Sequence, residues 1–207
     1  MFTLYKPSIE DLWFRAQMMG NEQTMAYNHA YGGTIPFPKE HWADWYDRWL
    51  ADHDDKRFYR YVKVDDMFVG EVAYHFEEER QITLASVIMD APYRRKGYGS
   101  KALMLLCQAA KEANIHELYD DIAIDNPSAA LFLKCGFSVI LQTEEYILLK
   151  KNCKLCRFRF AEPVRYGTGQ TVFTSTALST DPGNKRLIGG TLGKLPEGEL
   201  MELPPLI

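Results

Sequence analysis

The segment from Val87 to Lys101 restricts the fold of this chain more than any other. Strand-forming Val87-Ile88-Met89 leads through Asp90-Ala91-Pro92-Tyr93 into Arg94-Arg95-Lys96-Gly97-Tyr98-Gly99-Ser100. Beyond it, Leu103, Leu106, Ala110 and Ala113 share one face of a helix that the spacing carries to Asn114. A strand thus feeds a helix through a turn with two glycines and three cations. The first turn of a helix presents unpaired backbone N–H groups and the positive end of the macrodipole. An anion can settle there only where the backbone comes close, which glycine at 97 and 99 permits. Arg94, Arg95 and Lys96 add charge to the same cradle, and the combination fits a pyrophosphate. It is neither a Walker A loop, which needs Gly-Lys-Ser/Thr, nor the full dinucleotide fingerprint. Read in isolation, the string is equally consistent with an ordinary Gly-rich turn.

The neighbouring residues predict a sheet around this unit. Ser8 with Asp11 makes a capping-box-like start to a helix over residues 9–19. Pro36-Phe37-Pro38 opens a second helix, on which Trp42, Trp45 and Trp49 fall on one face. That stripe reads as core, and the sharper alternative is that part of it lines a substrate pocket. Runs over 58–64, 67–76 and 82–89 are divided by Asp65-Asp66 and Glu77-Glu78-Glu79-Arg80, which predicts an antiparallel meander. After the long helix come a strand over 117–124 and a short helix with Asn126 as N-cap, Pro127 in its first turn and Gly136 at its end. An apolar run over 146–149 follows. The order ααβββαβαβ predicts an α+β fold, a mixed and mostly antiparallel sheet flanked by helices.

Near Lys150 the chain changes character. Residues 151–207 hold 7 of the 14 glycines and 5 of the 10 prolines but no tryptophan, so the first 150 residues read as the domain and the rest as an extension. The extension carries 8 Lys+Arg against 5 Asp+Glu, which leaves a net charge of -7 on the domain out of -4 overall. That balance argues against a nucleic-acid partner. No apolar run approaches a membrane span and the N-terminus lacks a signal-peptide pattern, so a cytoplasmic protein without a membrane partner is expected. Cys153 and Cys156 form a lone CxxC without two further ligands at metal spacing, and no metal is expected.

Two stretches, in order, resemble the GNAT superfamily of acetyl-CoA-dependent N-acetyltransferases. Arg94-x-x-Gly97-x-Gly99 is similar to its cofactor loop. Asn126-Pro127-Ser128-Ala129-Ala130-Leu131-Phe132-Leu133-Lys134-Cys135-Gly136-Phe137 is similar to its Asn…Ala…Leu-Tyr-x-Lys-x-Gly-Phe segment. The resemblance runs from about Val69 to Lys150, is looser before it and is absent from the extension. It implies acetyl-CoA as co-substrate, held by backbone groups of Val87, Ile88 and Met89, by the loop from Arg94 through Tyr98 to Ser100, and by Asn126, Ser128 and Lys134. It also implies a strand before the loop that splays from the next, and it leaves room for a homodimer. One departure stands out. The family often has a tyrosine where this chain has Phe132, and a phenyl ring cannot protonate a departing thiolate.

An alkyl amine has a pKa near ~10 and must lose a proton before it attacks a thioester. Glu71 and His75 lie four residues apart on one face of a strand, and Asp121 lies in the strand after the long helix; in the order Glu71, Asp121, His75 they are the candidate bases or substrate anchors. Each also reads, and more readily, as a solvated or salt-bridged surface group. Tyr93, Tyr119, an N-terminal tyrosine or water is left as the acid. The long loop with Tyr27, Asn28, Tyr31, Gly32 and Gly33 lies where the family builds its acceptor side. An acidic domain suits a cationic amine on a small molecule or a protein. The competing expectation is a catalytically silent acyl-CoA-binding module, which Phe132 motivates.

Overall fold

A computed structural model describes residues 1–51 and 56–155, with the side chains of Ala30, Tyr31 and Leu155 excepted. Seven strands form one sheet in the order β1-β2-β3-β4-β5-β7-β6. They are β1 (Phe2–Tyr5), β2 (Arg57–Val64), β3 (Met67–Glu77), β4 (Ile82–Met89), β5 (Glu117–Ala123), β6 (Ser138–Gln142) and β7 (Tyr146–Asn152). All neighbours are antiparallel except β4 and β5. The helices are α1 (Trp13–Met19), α2 (Trp42–Tyr46), α3 (Tyr98–Glu112) and α4 (Ala129–Lys134).

The mixed, mostly antiparallel sheet is therefore as expected, with two strands added. β1 is four residues long, too short for period-2 alternation to show, and β6 is exposed along its whole length, so no buried face marks it. These two are the edges of the sheet. The second helix also differs from its expected regular run. α2 ends at Tyr46 and passes into a π-helical turn over Asp47–Ala51, which keeps Trp45 and Trp49 stacked at 5.9 Å. Asn126 is not the cap of α4, which starts at Ala129; its side chain instead accepts the Ser128 N–H at 2.9 Å in an Asx turn leading to the helix. Asp11 does reach back to the Ser8 N–H (2.9 Å), one half of a capping box.

The alternation along β2 and β3 sorts side chains onto two cores. Val62, Val72 and Tyr74 join Leu103, Leu106, Leu118, Phe132 and Leu149 under α3 and α4. Tyr59, Tyr61 and Ala73 join Leu12, Phe14, Met18 and Trp45 under α1 and α2. Cys107, Cys135 and Cys153 are buried among these apolar residues. No group of His, Cys, Asp or Glu among the described residues is arranged to hold a metal, and none of their helices is long and apolar enough to cross a membrane. Residues 151–155 of the extension are part of this fold, whereas Cys156 and the rest of the extension lie outside the described residues.

Candidate active site

Between β4 and α3 the chain makes one 3-10 turn (Ala91–Tyr93) and then coils through two left-handed residues, Arg95 (φ 64) and Gly97 (φ 79). Glycine adopts this backbone without cost, and at Gly97 an added Cβ would meet nothing within 4 Å, so the turn is open to the outside. The first helical bond of α3 runs from the Lys101 N–H to the Gly97 carbonyl (3.3 Å), and no side chain caps the helix. The N–H groups of Tyr98, Gly99 and Ser100 are therefore left for an external acceptor at the positive end of a 15-residue helix. Gly99 has a different reason to be glycine. A Cβ there would lie 3.3 Å from Leu131 Cδ2 and 3.5 Å from Met89 Cγ, so its absence lets α3 close on α4 and on the end of β4.

The three cations divide. Arg94 turns inward, donating Nε to the Met89 carbonyl (3.0 Å), one terminal nitrogen to Gln23 O (3.0 Å) and the other to Thr24 O. Arg95 and Lys96 are exposed, the latter with its ammonium 5.2 Å from the Tyr93 ring centre, and these two remain available to an anion.

Beside the loop, β4 has an open edge. Its parallel ladder to β5 holds at Leu84↔Tyr119 and extends no further. The Asp90 N–H donates to Val69 O (3.0 Å), which fixes the antiparallel alternation with β3: Ile88 spends its N–H and carbonyl on Glu71, while Val87 and Met89 direct theirs toward β5. Beyond Tyr119 those outward groups have no ladder partner among the described residues, except that the Met89 carbonyl takes Arg94. Of the three residues expected to hold a ligand's extended arm, Val87 and Met89 have the backbone groups to do so; Ile88 does not.

On the far side of the opening, Asn126 and Ser128 form the Asx turn before α4, and Lys134 is exposed at its end. Phe132 is 2% exposed and packs edge-on against Phe137 at 5.0 Å, so the position where a tyrosine was looked for is a core position here.

The long loop that holds Tyr27, Asn28, Gly32 and Gly33 spans the opening. The Ile35 N–H closes its base on Met19 O (2.9 Å). Thr24, fully buried, donates its hydroxyl to Asp90 (2.7 Å) and accepts the Ala91 N–H (3.0 Å), and with Arg94 this fixes the loop to the end of β4. Five residues later His29 Nε2 lies 3.0 Å from Asp125 Oδ2, at the end of β5. Tyr27 sits between these anchors, half-buried, and burial followed by the Glu71 charge holds its phenol protonated well above the usual range.

The expected acid–base residues are not equally free. Glu71, 3% exposed, shares an ion pair with Arg15 and accepts the Tyr59 hydroxyl. Arg15 lies over the Trp45 ring at 4.7 Å. Burial works against its charge, but the Glu71 carboxylate and the Tyr59 hydroxyl together more than offset it. Asp121 is bonded to Arg80 (2.8 Å). His75 packs edge-on against Trp49 (5.8 Å), and burial lowers its pKa. It lies about 13 Å along β3 from Glu71 at the usual strand rise, so the structure does not bring the two together. Tyr93 directs its hydroxyl to Met67 Sδ (3.9 Å) and Tyr119 to Glu117 (2.8 Å), both away from the opening. Sequence reasoning missed Arg15 and Thr24. A lone arginine in an apolar helical run, Trp13-Phe14-Arg15-Ala16, was the available signal for the first.

Comparison with known proteins agrees with this geometry. The model of the acetyltransferase (GNAT) family matches residues 18–137. The fold is similar to that of a spermidine N-acetyltransferase from Vibrio cholerae solved with CoA and spermine: TM-score 0.60, 18% identity, covering 74% of this chain and 96% of that one. It is also similar to yncA, a putative acetyltransferase from Salmonella typhimurium solved with acetyl-CoA (0.60, 14%, 73% and 94%). An N-acetyltransferase from Staphylococcus aureus gives 0.59 at 17% identity, with 74% and 99% covered. No curated protein matches the sequence.

Proposed function

The chain belongs to the GNAT acetyltransferase family, and from that premise we propose that it transfers the acetyl group of acetyl-CoA to a primary amine by direct attack in a ternary complex. The observation that carries this reading is the pairing of an uncapped helix mouth with an unpaired strand edge, at Gly97–Ser100 and at Val87 and Met89. A pyrophosphate needs the first and an amide-bearing pantetheine arm needs the second. The residues present fit acetyl-CoA, which supplies the thioester. Tyr98, Gly99 and Ser100 offer N–H groups to its phosphates, Arg95 and Lys96 offer charge, and a backbone N–H of Val87 or Met89 stabilises the oxyanion. Asn126, Ser128 and Lys134 border the same opening.

The acceptor is a cationic amine. The net charge of -7 over the first 150 residues favours one electrostatically, and a protein of similar fold was solved with spermine. Polyamines are therefore the first acceptors to test. Release of free thiol from acetyl-CoA in the presence of spermidine, aminoglycosides, amino-acid amines and lysine peptides should identify at least one that turns over. The binding-module alternative draws on Phe132, whose buried ring supplies no proton; CoA binding with no turnover on any amine would establish it.

With Phe132 in the core, Tyr27 takes the acid's place. It is half-buried between the Thr24 and His29 anchors of the loop that spans the opening. Tyr27→Phe should lower kcat by roughly 10²-fold, the usual scale of a general acid, with the KM for acetyl-CoA unchanged. An unaltered kcat in steady-state assays would remove Tyr27 from the mechanism. Glu71, Asp121 and His75 stay as candidates for the opposite task, removal of the amine's proton, but each already has an ion-pair or aromatic partner.

A further inference from the structure

Asp90 follows the last residue of β4, and at 5% exposure it is a buried carboxylate with no ion pair among the described residues. Its side chain accepts the hydroxyl of Thr24 at 2.7 Å. The same Thr24 oxygen accepts the Ala91 N–H (3.0 Å), the first amide of the turn that leads into the cofactor loop. Thr24 is fully buried, and its own N–H is bonded to Asn21 Oδ1 (2.8 Å), so backbone and hydroxyl are both fixed. Arg94 reinforces the junction through the Gln23 and Thr24 carbonyls. Packing alone does not call for this polar bracket, because two apolar side chains could fill the same space at little or no cost.

We propose that Thr24, seated on Asp90, is a positioning residue for the acetyl transfer: it sets the register of the spanning loop, and with it Tyr27, against the strand that holds the thioester. This rests on the acetyl-transfer reading above and on Tyr27 as its acid. Tyr27 lies three residues beyond Thr24, and the chain between them is held from within. Met25 is fully buried in the core under α1 and α2, and the Asn28 N–H closes on Met25 O (2.8 Å). The Gly33 N–H donates to Asn28 O (2.9 Å) and the Asn28 side chain to Gly33 O (2.8 Å). Tyr27 and Ile88 pack against that same core. A displacement at Thr24 is therefore carried to Tyr27 instead of being absorbed on the way. The other anchor, His29 with Asp125, is 60% and 57% exposed, and an exposed pair holds little by itself. Thr24 is thus the anchor that decides where the loop sits. The demand is strict, because an acid must come within hydrogen-bond reach of the atom it protonates, and a misplacement of about 1 Å can cost about 10²-fold.

The test is Thr24→Val, which keeps the shape of the side chain and removes its hydroxyl. With the best amine, kcat should fall by about 10²-fold at a temperature well below the melting point of the variant. CoA affinity in calorimetric titration should be kept, since Gly97–Ser100 and the edge of β4 are untouched. Thr24→Ser, which restores the hydroxyl, should recover the rate. A cycle with Tyr27→Phe then separates positioning from mere structure. Once the phenol is gone there is nothing left to position, so Thr24→Val should cost little more in that background, and the two losses should be far from additive. Thr24→Ala removes the same hydroxyl without setting a methyl group against the Asp90 carboxylate, and it serves for the cycle if the valine protein does not fold. Additive losses, a serine variant as slow as the valine one, or a valine variant at full kcat overturn the assignment. So do a Tyr27→Phe protein at full kcat and a CoA affinity that falls in step with the rate, the mark of a hydroxyl that serves the cofactor turn alone. Wild-type protein that binds CoA but acetylates nothing would overturn the acetyl-transfer reading itself, and the assignment with it.

Discussion

Replacing Arg15 with methionine should destabilise the fold by about 3–5 kcal/mol, because it leaves the Glu71 carboxylate buried without its cation. Glu71→Gln should act in the same direction, since it strands the guanidinium under Trp45 and Phe37. The cost reflects the asymmetry of buried ion pairs: breaking one exposes an uncompensated charge, whereas removing both partners can be nearly neutral. The double replacement Arg15→Met with Glu71→Leu should therefore recover much of the loss. Urea denaturation of the two single variants and the double variant measures the coupling. Equal and additive losses would show that the pair is not a unit. The same series bears on chemistry, because a group held by both Arg15 and Tyr59 is suited to fixing the shape of the wall opposite Ile88.

A second large effect is expected at Gly70. A Cβ built there would stand 2.5 Å from the Ile88 carbonyl oxygen and 2.9 Å from both Sδ and Cε of Met89. The methionine can move its flexible end, but the backbone carbonyl cannot yield without shifting β4. Gly70→Ala should cost the fold on the order of 1–3 kcal/mol, the range of overpacking in a core. It should also displace Ile88 and Met89, so CoA affinity should fall with stability. Calorimetric unfolding together with CoA titration would check both, and a fully stable Gly70→Ala protein would mean that β3 and β4 do not approach this closely.

Most of the frame was legible from local signals. Asp65 (φ 52) closes the predicted β2–β3 turn, and Gln81 (φ 54) ends the predicted β3–β4 turn. Gly97 and the helix that follows were readable because a strand, a turn and a 3.6-residue stripe adjoin in sequence. What escaped depends on distant partners. β1 exists because Phe2–Tyr5 pairs with Val64–Tyr61, a contact some sixty residues away that a four-residue run cannot signal. The same holds for Thr24, which looks like a loop residue until it bonds Asp90. Arg94 stood in a motif for phosphate, yet three backbone carbonyls claim it. The strand read over 146–149 likewise continues to Asn152, with Cys153 fully buried and its N–H on the His116 carbonyl (2.7 Å).

The central claim is that the mouth of α3 binds the pyrophosphate of acetyl-CoA, and calorimetric titration of CoA into the full chain tests it most directly. The comparison is with ATP, and with a protein carrying Arg95→Glu and Lys96→Glu, two exposed changes that leave Gly97, Gly99 and the inward-facing Arg94 untouched. CoA should bind more tightly than ATP, since only CoA can use the open edge at Val87 and Met89. The charge reversal should weaken CoA by at least about tenfold, the scale of losing charge-assisted contacts, with the melting temperature of the free protein unchanged. CoA that binds no better than ATP, or binds the reversed protein equally well, would contradict the assignment.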